Sequence, residues 1–314
     1  MSGIDPLDQL VAAAGLPAVV STERIDEQCD GLDNLLIKAT LADGREVLLR
    51  QSGVQDADPT PRAAFLKAHV VGAPCLLAAS CGGATLVDFV PGRQLAEMVA
   101  IDQVDDRTWA LTGVAFARVH AVRFPAPLQG QVNPRSTVLE PLDPVDQLMA
   151  CLDEARPWLT EHQLGLVPAL DHLRAFIRGR AGDIRAEVPC LTHGDANLLN
   201  IIVGEHAVTL IDWDFPAVRY PLAELSPLDE HVYLSGGDGL PPAFFAGYGR
   251  TVPADLLLAY RMVGCFNWLS GRDWEPWEAD TAMPISARRR LRRWHERLVE
   301  WVGRTPDLIR ILEF

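Results

Sequence analysis

The chain has 314 residues, 48% of them hydrophobic, and a formal net charge of −14. That length and apolar content suffice for two domains, or one large two-lobed unit, around a real core. The acidic balance argues against a nucleic-acid binder, because duplex binding depends on Lys and Arg neutralising phosphates, and it is compatible with a cationic small molecule.

The amino terminus, "MSGIDPLDQL", carries acid where a secretory leader would carry base, so a cytoplasmic protein is expected. Asp5 can cap a short helix, Pro6 suits its first position and Gly15 its stop. From Val19 to Gln51 strand signals dominate. "LLIKATL" and "EVLLRQ" flank "ADGR", and Asp43-Gly44 marks a hairpin turn. A polar loop over 52–61 leads to a helix from Arg62 to Val71. The apolar stretch from Val70 to Val90 is broken by Gly72, Pro74, Ser80, Gly82, Gly83 and Asp88, so no membrane span is expected. It contains the strand "ATLVDFV", which ends at Pro91-Gly92.

Helical periodicity takes over beyond residue 90, over 103–121, 144–160, 166–181, 241–249, 253–270 and 285–303. The last of these is basic, "ISARRRLRRWHERLVEW", but Ile285, Leu291, Trp294, Leu298 and Trp301 mostly fall at helical spacing, which predicts a core-facing helix with a solvated arginine face. Residues 1–90 and 91–314 are therefore expected to form a small strand-rich part and a large helical one. Six cysteines, Cys29, Cys75, Cys81, Cys151, Cys190 and Cys265, include no Cys-x-x-Cys pair and read as reduced thiols.

The only convincing strands in the second part lie in "LTHGDANLLNIIVGEHAVTLIDWD" (191–214). "NIIV" and "AVTLID" around "GEH" predict a hairpin that brings Asp195 and Asn200, before its first strand, to the same edge as Asp212, at the end of its second. The Asp212 carboxylate and the Asn200 amide oxygen suit a hard cation such as Mg²⁺. Asp195 then stands close by, free to accept a proton from an attacking hydroxyl, which is the layout that phosphoryl transfer from Mg-ATP requires.

His193-Gly194-Asp195, Asn200 and Ile211-Asp212-Trp213-Asp214 resemble the H-G-D-x-x-x-x-N … I-D-W-D/E signature of the aminoglycoside phosphotransferase and choline kinase family, relatives of the protein kinases. The resemblance implies an α+β, protein-kinase-like two-lobed fold, with Asp195 as catalytic base, Asn200 and Asp212 as Mg²⁺ ligands and His193 as a brace. Asp214 is left either as a supporting group beside the metal or as a contact to a cationic substrate. "LVDFVPGRQL" (86–95) looks like the family hinge, implying adenine contacts from the Asp88 carbonyl and the Val90 amide. "FARVHAV" (116–122) resembles the family's helix ending in Leu-His. "CDGLDNLLIKATLADGREVLLRQ" (29–51) resembles the phosphate-covering hairpin and next strand, which implies Gly31 to Asn34 over the phosphates, unless they form a plain turn, and Arg50 in the place of the kinase lysine.

The chain departs from the family pattern twice. "RAAFLKAHVVG" holds no acid to pair with Arg50, which leaves Asp56 or Asp58 as its partner or Arg50 misplaced. "AVRYPLAEL" (217–225) replaces the usual G-D-P … D-L-A, with Glu224 the stand-in for the acid that braces the fold. Two acidic stretches, "SPLDEHVYLSGGDG" (226–239, with Asp229 and Glu230) and "SGRDWEPWEAD" (270–280, with Asp273, Trp274 and Glu275), read either as solvated loops or as walls for an amine-bearing acceptor. The expectation is a Mg-ATP-dependent phosphotransferase acting on a small-molecule hydroxyl. The competing reading is a catalytically weak nucleotide-binding protein that acts through partner binding.

Overall fold

The computed structural model describes residues 6–25, 34–52, 59–70, 72–80, 83–132, 137–270 and 285–312. Helix α1 (Pro6–Ala13) opens on its proline and stops before Gly15, which takes φ 66°. Its Leu7, Leu10 and Val11 form one buried stripe, the spacing an amphipathic helix gives. Strands β1 (Val19–Arg24), β2 (Asn34–Leu41), β3 (Glu46–Ser52), β4 (Leu76–Ala79) and β5 (Ala84–Asp88) make an antiparallel sheet in the order β1-β2-β3-β5-β4. The expected hairpin closes at Gly44, φ 84°, with its N–H on the Leu41 carbonyl.

Alternation along β3 sends Val47 and Leu49 into a core shared with α1, Ala39, Leu41 and Leu86. Arg50, the next residue, therefore faces the other side of the sheet. Helix α2 (Thr60–His69) sits close to the predicted place, but its Leu66, followed by Val70, belongs to the larger of the two apolar clusters.

After β5 the chain enters the second part through β6 (Arg93–Gln94), which pairs with β10 (Ile201–Val203), itself paired with β11 (Val208–Leu210). This is the predicted hairpin. Helices α3 (Leu95–Ala100), α4 (Asp106–Val119), α5 (Pro144–His162), α6 (Val167–Gly179) and α7 (Ala181–Ala186) follow β6. Aspartate side chains start two of them. Asp105 accepts from the Thr108 N–H at the head of α4, and Asp143 accepts from Val145 and Asp146 at the head of α5, as helix N-caps do.

A third sheet, of β7 (Leu128–Gln131), β8 (Glu140–Pro141), β9 (Cys190–Thr192) and β12 (Ala217–Arg219), was not expected from the sequence. Nor was α8 (Leu222–Leu234), which corrects the loop reading of 226–239. Helices α9 (Pro242–Tyr248), α10 (Ala254–Ser270), α11 (Ile285–Gly303) and α12 (Thr305–Leu312) complete the described chain. Leu291, Leu298 and Trp301 of α11 are buried, so the basic run has a core-facing stripe, but Ile285 at its start is exposed and does not belong to it. Among the described residues no helix is long and apolar enough to cross a membrane.

Candidate active site

The stretch between β9 and β10 carries the first half of the site. Thr192 is tied across to β12 by its hydroxyl, which donates to the Ala217 carbonyl at 2.9 Å. His193 is 1% exposed, donates from Nε2 to the Ile211 carbonyl at 2.7 Å and packs its ring 4.4 Å from that of Trp213. It braces the two halves of the motif against each other. Gly194, at φ 85°, brings its Cα so close to the Phe215 carbonyl that a Cβ would lie 1.7 Å from that oxygen. No other residue fits there without moving the backbone.

Asp195 follows, half-buried, with each carboxylate oxygen held by a side-chain amide. Oδ1 accepts from Asn197 Nδ2 at 3.0 Å and Oδ2 from Asn200 Nδ2 at 2.9 Å. Asn197 also turns its own oxygen to the N–H groups of Leu199 and Asn200, building the tight turn that delivers Asn200. Sequence reasoning missed Asn197. Its signal was an Asn two residues past the Asp and just before a short apolar run, the place of a capping residue.

Asp212 lies just beyond β11 in a left-handed conformation, φ 63°, rare for a residue with a side chain. Its Oδ1 accepts from Arg50 Nη1 at 2.8 Å, and Arg50 Nη2 bonds Oδ2 of Asp214. Burial raises the Asp212 carboxyl above its usual range, Arg50 opposes that, and the neighbouring Asp214 and Asp195 add to it. Burial alone would lower the Arg50 guanidinium, but Asp212 and Asp214 outweigh it and hold Arg50 charged. Arg50 therefore does reach the site, and among the described residues its acidic partners Asp212 and Asp214 come from the second part of the chain. Asp56 and Asp58 lie outside the described residues.

The donor set can be tested against a metal. The Asn200 amide nitrogen is committed to the Asp195 carboxylate and main-chain carbonyl, which leaves its oxygen as the donor, and Asp212 adds a carboxylate. Among the described residues no group of three His, Cys, Asp or Glu could hold an ion. Two protein oxygens suit Mg²⁺, which keeps waters and takes substrate phosphates, better than a metal needing a full protein cage.

Three of the other expected site residues, Glu224, Asp229 and Asp214, have their carboxylates bonded within the chain. Glu224 is 3% exposed and accepts from the Gly194 N–H at 2.9 Å, while its other oxygen meets His120 Nε2 at 2.7 Å; His120 Nδ1 in turn meets the Tyr248 hydroxyl at 2.8 Å. Both oxygens are used within the chain, so Glu224 braces the Asp195 loop. His120 is the histidine of "FARVHAV". Asp229 is also buried, accepting from the Leu240 N–H at 2.6 Å and from Arg261 at 2.9 Å. Asp214 has both oxygens on arginines of this chain, Arg50 and Arg62, which removes it as a contact for a substrate cation.

Glu230 differs from these. It has no ion pair among the described residues, only the Cys265 thiol at 3.5 Å, and burial pushes its carboxyl up to about 7. Asp88 ends β5 with its carboxylate on the Cys75 N–H at 3.2 Å, and Val90 follows in the link to β6. Asn34 opens β2 opposite Ser52. Gly31, Asp273, Trp274 and Glu275 lie outside the described residues. A small cleft beside Asp195 is lined by Thr192, Gly194, Ala196, Arg219, Ala223, Glu224 and Pro227.

Comparison with solved structures places this geometry in a fold class. The chain is similar to a choline/ethanolamine kinase family protein from Mesorhizobium loti, with a TM-score of 0.60 and 16% identity over 96% of this chain and 97% of that one. It is also similar to a choline kinase from Cryptosporidium parvum, TM-score 0.59 and 12% identity over 97% and 96%, and to a thermostable mutant of the aminoglycoside phosphotransferase APH(4)-Ia, TM-score 0.58 and 16% identity over 94% and 99%. At these identities the likeness shows the fold, which is the α+β, protein-kinase-like one. Comparison with curated protein sequences gives no match. A family model does match, over residues 47–261: the chain belongs to the phosphotransferase enzyme family, and is an enzyme of the small-molecule kinase class.

Proposed function

We propose that the protein transfers the γ-phosphoryl group of Mg-ATP to a hydroxyl of a small molecule. The observation that carries this is the Asp195 carboxylate, half-exposed beside a cleft and aimed by two amides, next to the oxygen pair Asn200 and Asp212. Residues 1–90 form the nucleotide lobe and 91–314 the catalytic and substrate lobe. Asp88, at the end of β5, and Val90, in the link that follows, contact adenine through their main chain. Asn34, at the start of β2, and Gly31, outside the described residues, are the candidate phosphate contacts, and Arg50 pairs with the phosphates once they compete for it with Asp212 and Asp214.

Asp195 orients the acceptor hydroxyl and takes its proton while that oxygen bonds to the γ-phosphorus and the bond from the γ-phosphorus to the leaving ADP oxygen breaks. Asn200 and Asp212 hold Mg²⁺, which when bound supplies charge neutralisation at the phosphates. The competing reading, a weak nucleotide binder, drew on the missing acid opposite Arg50. Asp212 and Asp214 fill that place, and the phosphotransferase reading is favoured.

For the acceptor, an amine is favoured by Glu230, which lies one helical turn beyond Pro227 on α8 and has no ion pair among the described residues, Arg261 acting on it only through space. Asp273, Trp274 and Glu275, outside the described residues, are the further candidates for binding the amine. The test is ADP release with Mg-ATP over a panel of aminoglycosides, amino sugars, neutral sugars, choline-like amines and hydroxy amino acids, the last included because Arg219 lines the cleft. Stimulation by an amine-bearing acceptor supports the reading, and stimulation by neutral sugars alone overturns the amine.

The Glu230 carboxyl gives a second check. An acid raised from 4.5 to about 7 in the folded state binds its proton more tightly there than in the unfolded chain. Stability is therefore lost as pH rises through that window. Glu230→Gln is expected to gain on the native protein by up to about 3 kcal/mol between pH 4 and pH 8, read by chemical denaturation. A gap that does not change with pH rules out the buried, unpaired carboxyl.

A further inference from the structure

Two arginines from different elements converge on one aspartate. Arg50 of β3 spans Asp212 and Asp214, as described above. Arg62, in the first turns of α2, bonds Asp214 twice, from Nη1 to its main-chain carbonyl at 2.8 Å and from Nη2 to Oδ1 at 3.0 Å. The Arg62 side chain is only 11% exposed. One face of its planar fork is thus committed to the backbone and the side chain of a single residue, a geometry a lysine cannot reproduce. α2 is itself fixed by Leu66, which packs in the larger core. The tether therefore runs from a docked helix to a main-chain atom two residues from Asp212, whose left-handed backbone has to be held in place by its surroundings.

The charges agree with the geometry. Asp195, Asp212 and Asp214 put three carboxylates within interaction distance, and Arg50 alone cannot offset them. If Arg62 were absent, Asp214 would be neutralised by Arg50 only and would hold it against the pull of a ligand's phosphates.

We propose that Arg62 is a positioning residue of the phosphoryl-transfer site: from α2 it pins Asp214, and through it sets the place of Asp212 and keeps Arg50 available to phosphate. The proposal rests on the nucleotide reading above. Arg62 has no step in the chemistry and touches no substrate. Its effect passes through Asp214, which distinguishes it from a helix residue that only helps the fold.

The experiment is calorimetric titration of the full chain with Mg²⁺ and a non-hydrolysable ATP analogue, for the native protein, Arg62→Ala, Arg62→Lys, Asp214→Ala and the double variant Arg62→Ala/Asp214→Ala. Arg62→Ala is expected to bind the nucleotide about tenfold more weakly, and Arg62→Lys to recover less than half of that loss in free energy. In the Asp214→Ala background the removal of Arg62 should cost less than twofold, because the residue it acts through is gone. Thermal melts without nucleotide accompany each titration, and Arg62→Lys serves if Arg62→Ala does not fold. Binding by Arg62→Ala within twofold of native, or by Arg62→Lys should Arg62→Ala not fold, overturns the proposal. So does an equal loss with and without Asp214. If the native protein binds no nucleotide, the nucleotide reading itself falls and this proposal with it, and that result is visible in the native titration alone.

Discussion

Asp195→Asn is expected to lower phosphoryl transfer by about three orders of magnitude while leaving Mg-ATP binding within a few-fold of native. The replacement is isosteric, but it removes the group that takes the acceptor's proton. It also puts an NH₂ where an oxygen had been, and that NH₂ faces one of the two amides that now donate to Asp195. The Asn200 amide is buried and donates to the Asp195 main-chain carbonyl as well, so the new oxygen should settle toward Asn200. The contact with Asn197 is then lost, at about 1 kcal/mol. Because Asn200 keeps its place, the metal site should survive. Turnover under saturating nucleotide, with binding measured separately, checks both halves. Retained turnover within tenfold of native would mean that the acceptor proton leaves by another route, and a parallel collapse of binding would mean that Asp195 holds the site together instead of serving the reaction.

What the sequence revealed was mostly local. Asp195, Asn200 and Asp212 sit around a hairpin whose two strands, "NIIV" and "AVTLID", are legible from alternation and turn residues, and β10 pairs β11 as that pattern requires. α5 and α6 were placed to within two residues at each end because their apolar residues recur on one face. α8 was not, for an identifiable reason. Leu222, Glu224, Leu225, Ser226, Leu228 and Asp229 are all buried, so the helix is covered on nearly every side and shows no stripe to read. Pro227 and the acids Asp229 and Glu230 then make it look like a loop. β7 and β12 are too short to carry a period of two. The partner of Arg50 was hidden differently: the expected acid was sought on the nearest helix, whereas Asp212 and Asp214 lie 162 and 164 residues away in sequence. Contacts of that separation leave no local signature, so Arg62 was invisible as well.

The second large effect belongs to Gly194, and a comparison within the chain isolates its cause. Gly15 and Gly194 both have positive φ, 66° and 85°, but a Cβ on Gly15 meets nothing within 4 Å whereas one on Gly194 would lie 1.7 Å from the Phe215 carbonyl. Gly15→Ala should cost only the backbone strain, about 1 kcal/mol. Gly194→Ala adds an overpacked main-chain contact that can be relieved only by moving the loop, and the expected total is about 2–4 kcal/mol. Moving the loop draws the Gly194 N–H away from Glu224, which leaves the buried Glu224, His120 and Tyr248 chain short of a donor. It also displaces Asp195, the next residue, from the geometry set by Asn197 and Asn200. A shift of about 1 Å there is enough to cost roughly a hundredfold in turnover. Denaturation curves and kcat for the two variants side by side provide the check: if Gly194→Ala loses no more stability than Gly15→Ala and keeps its turnover, the close approach of the Asp195 loop to Phe215 does not set the position of the base.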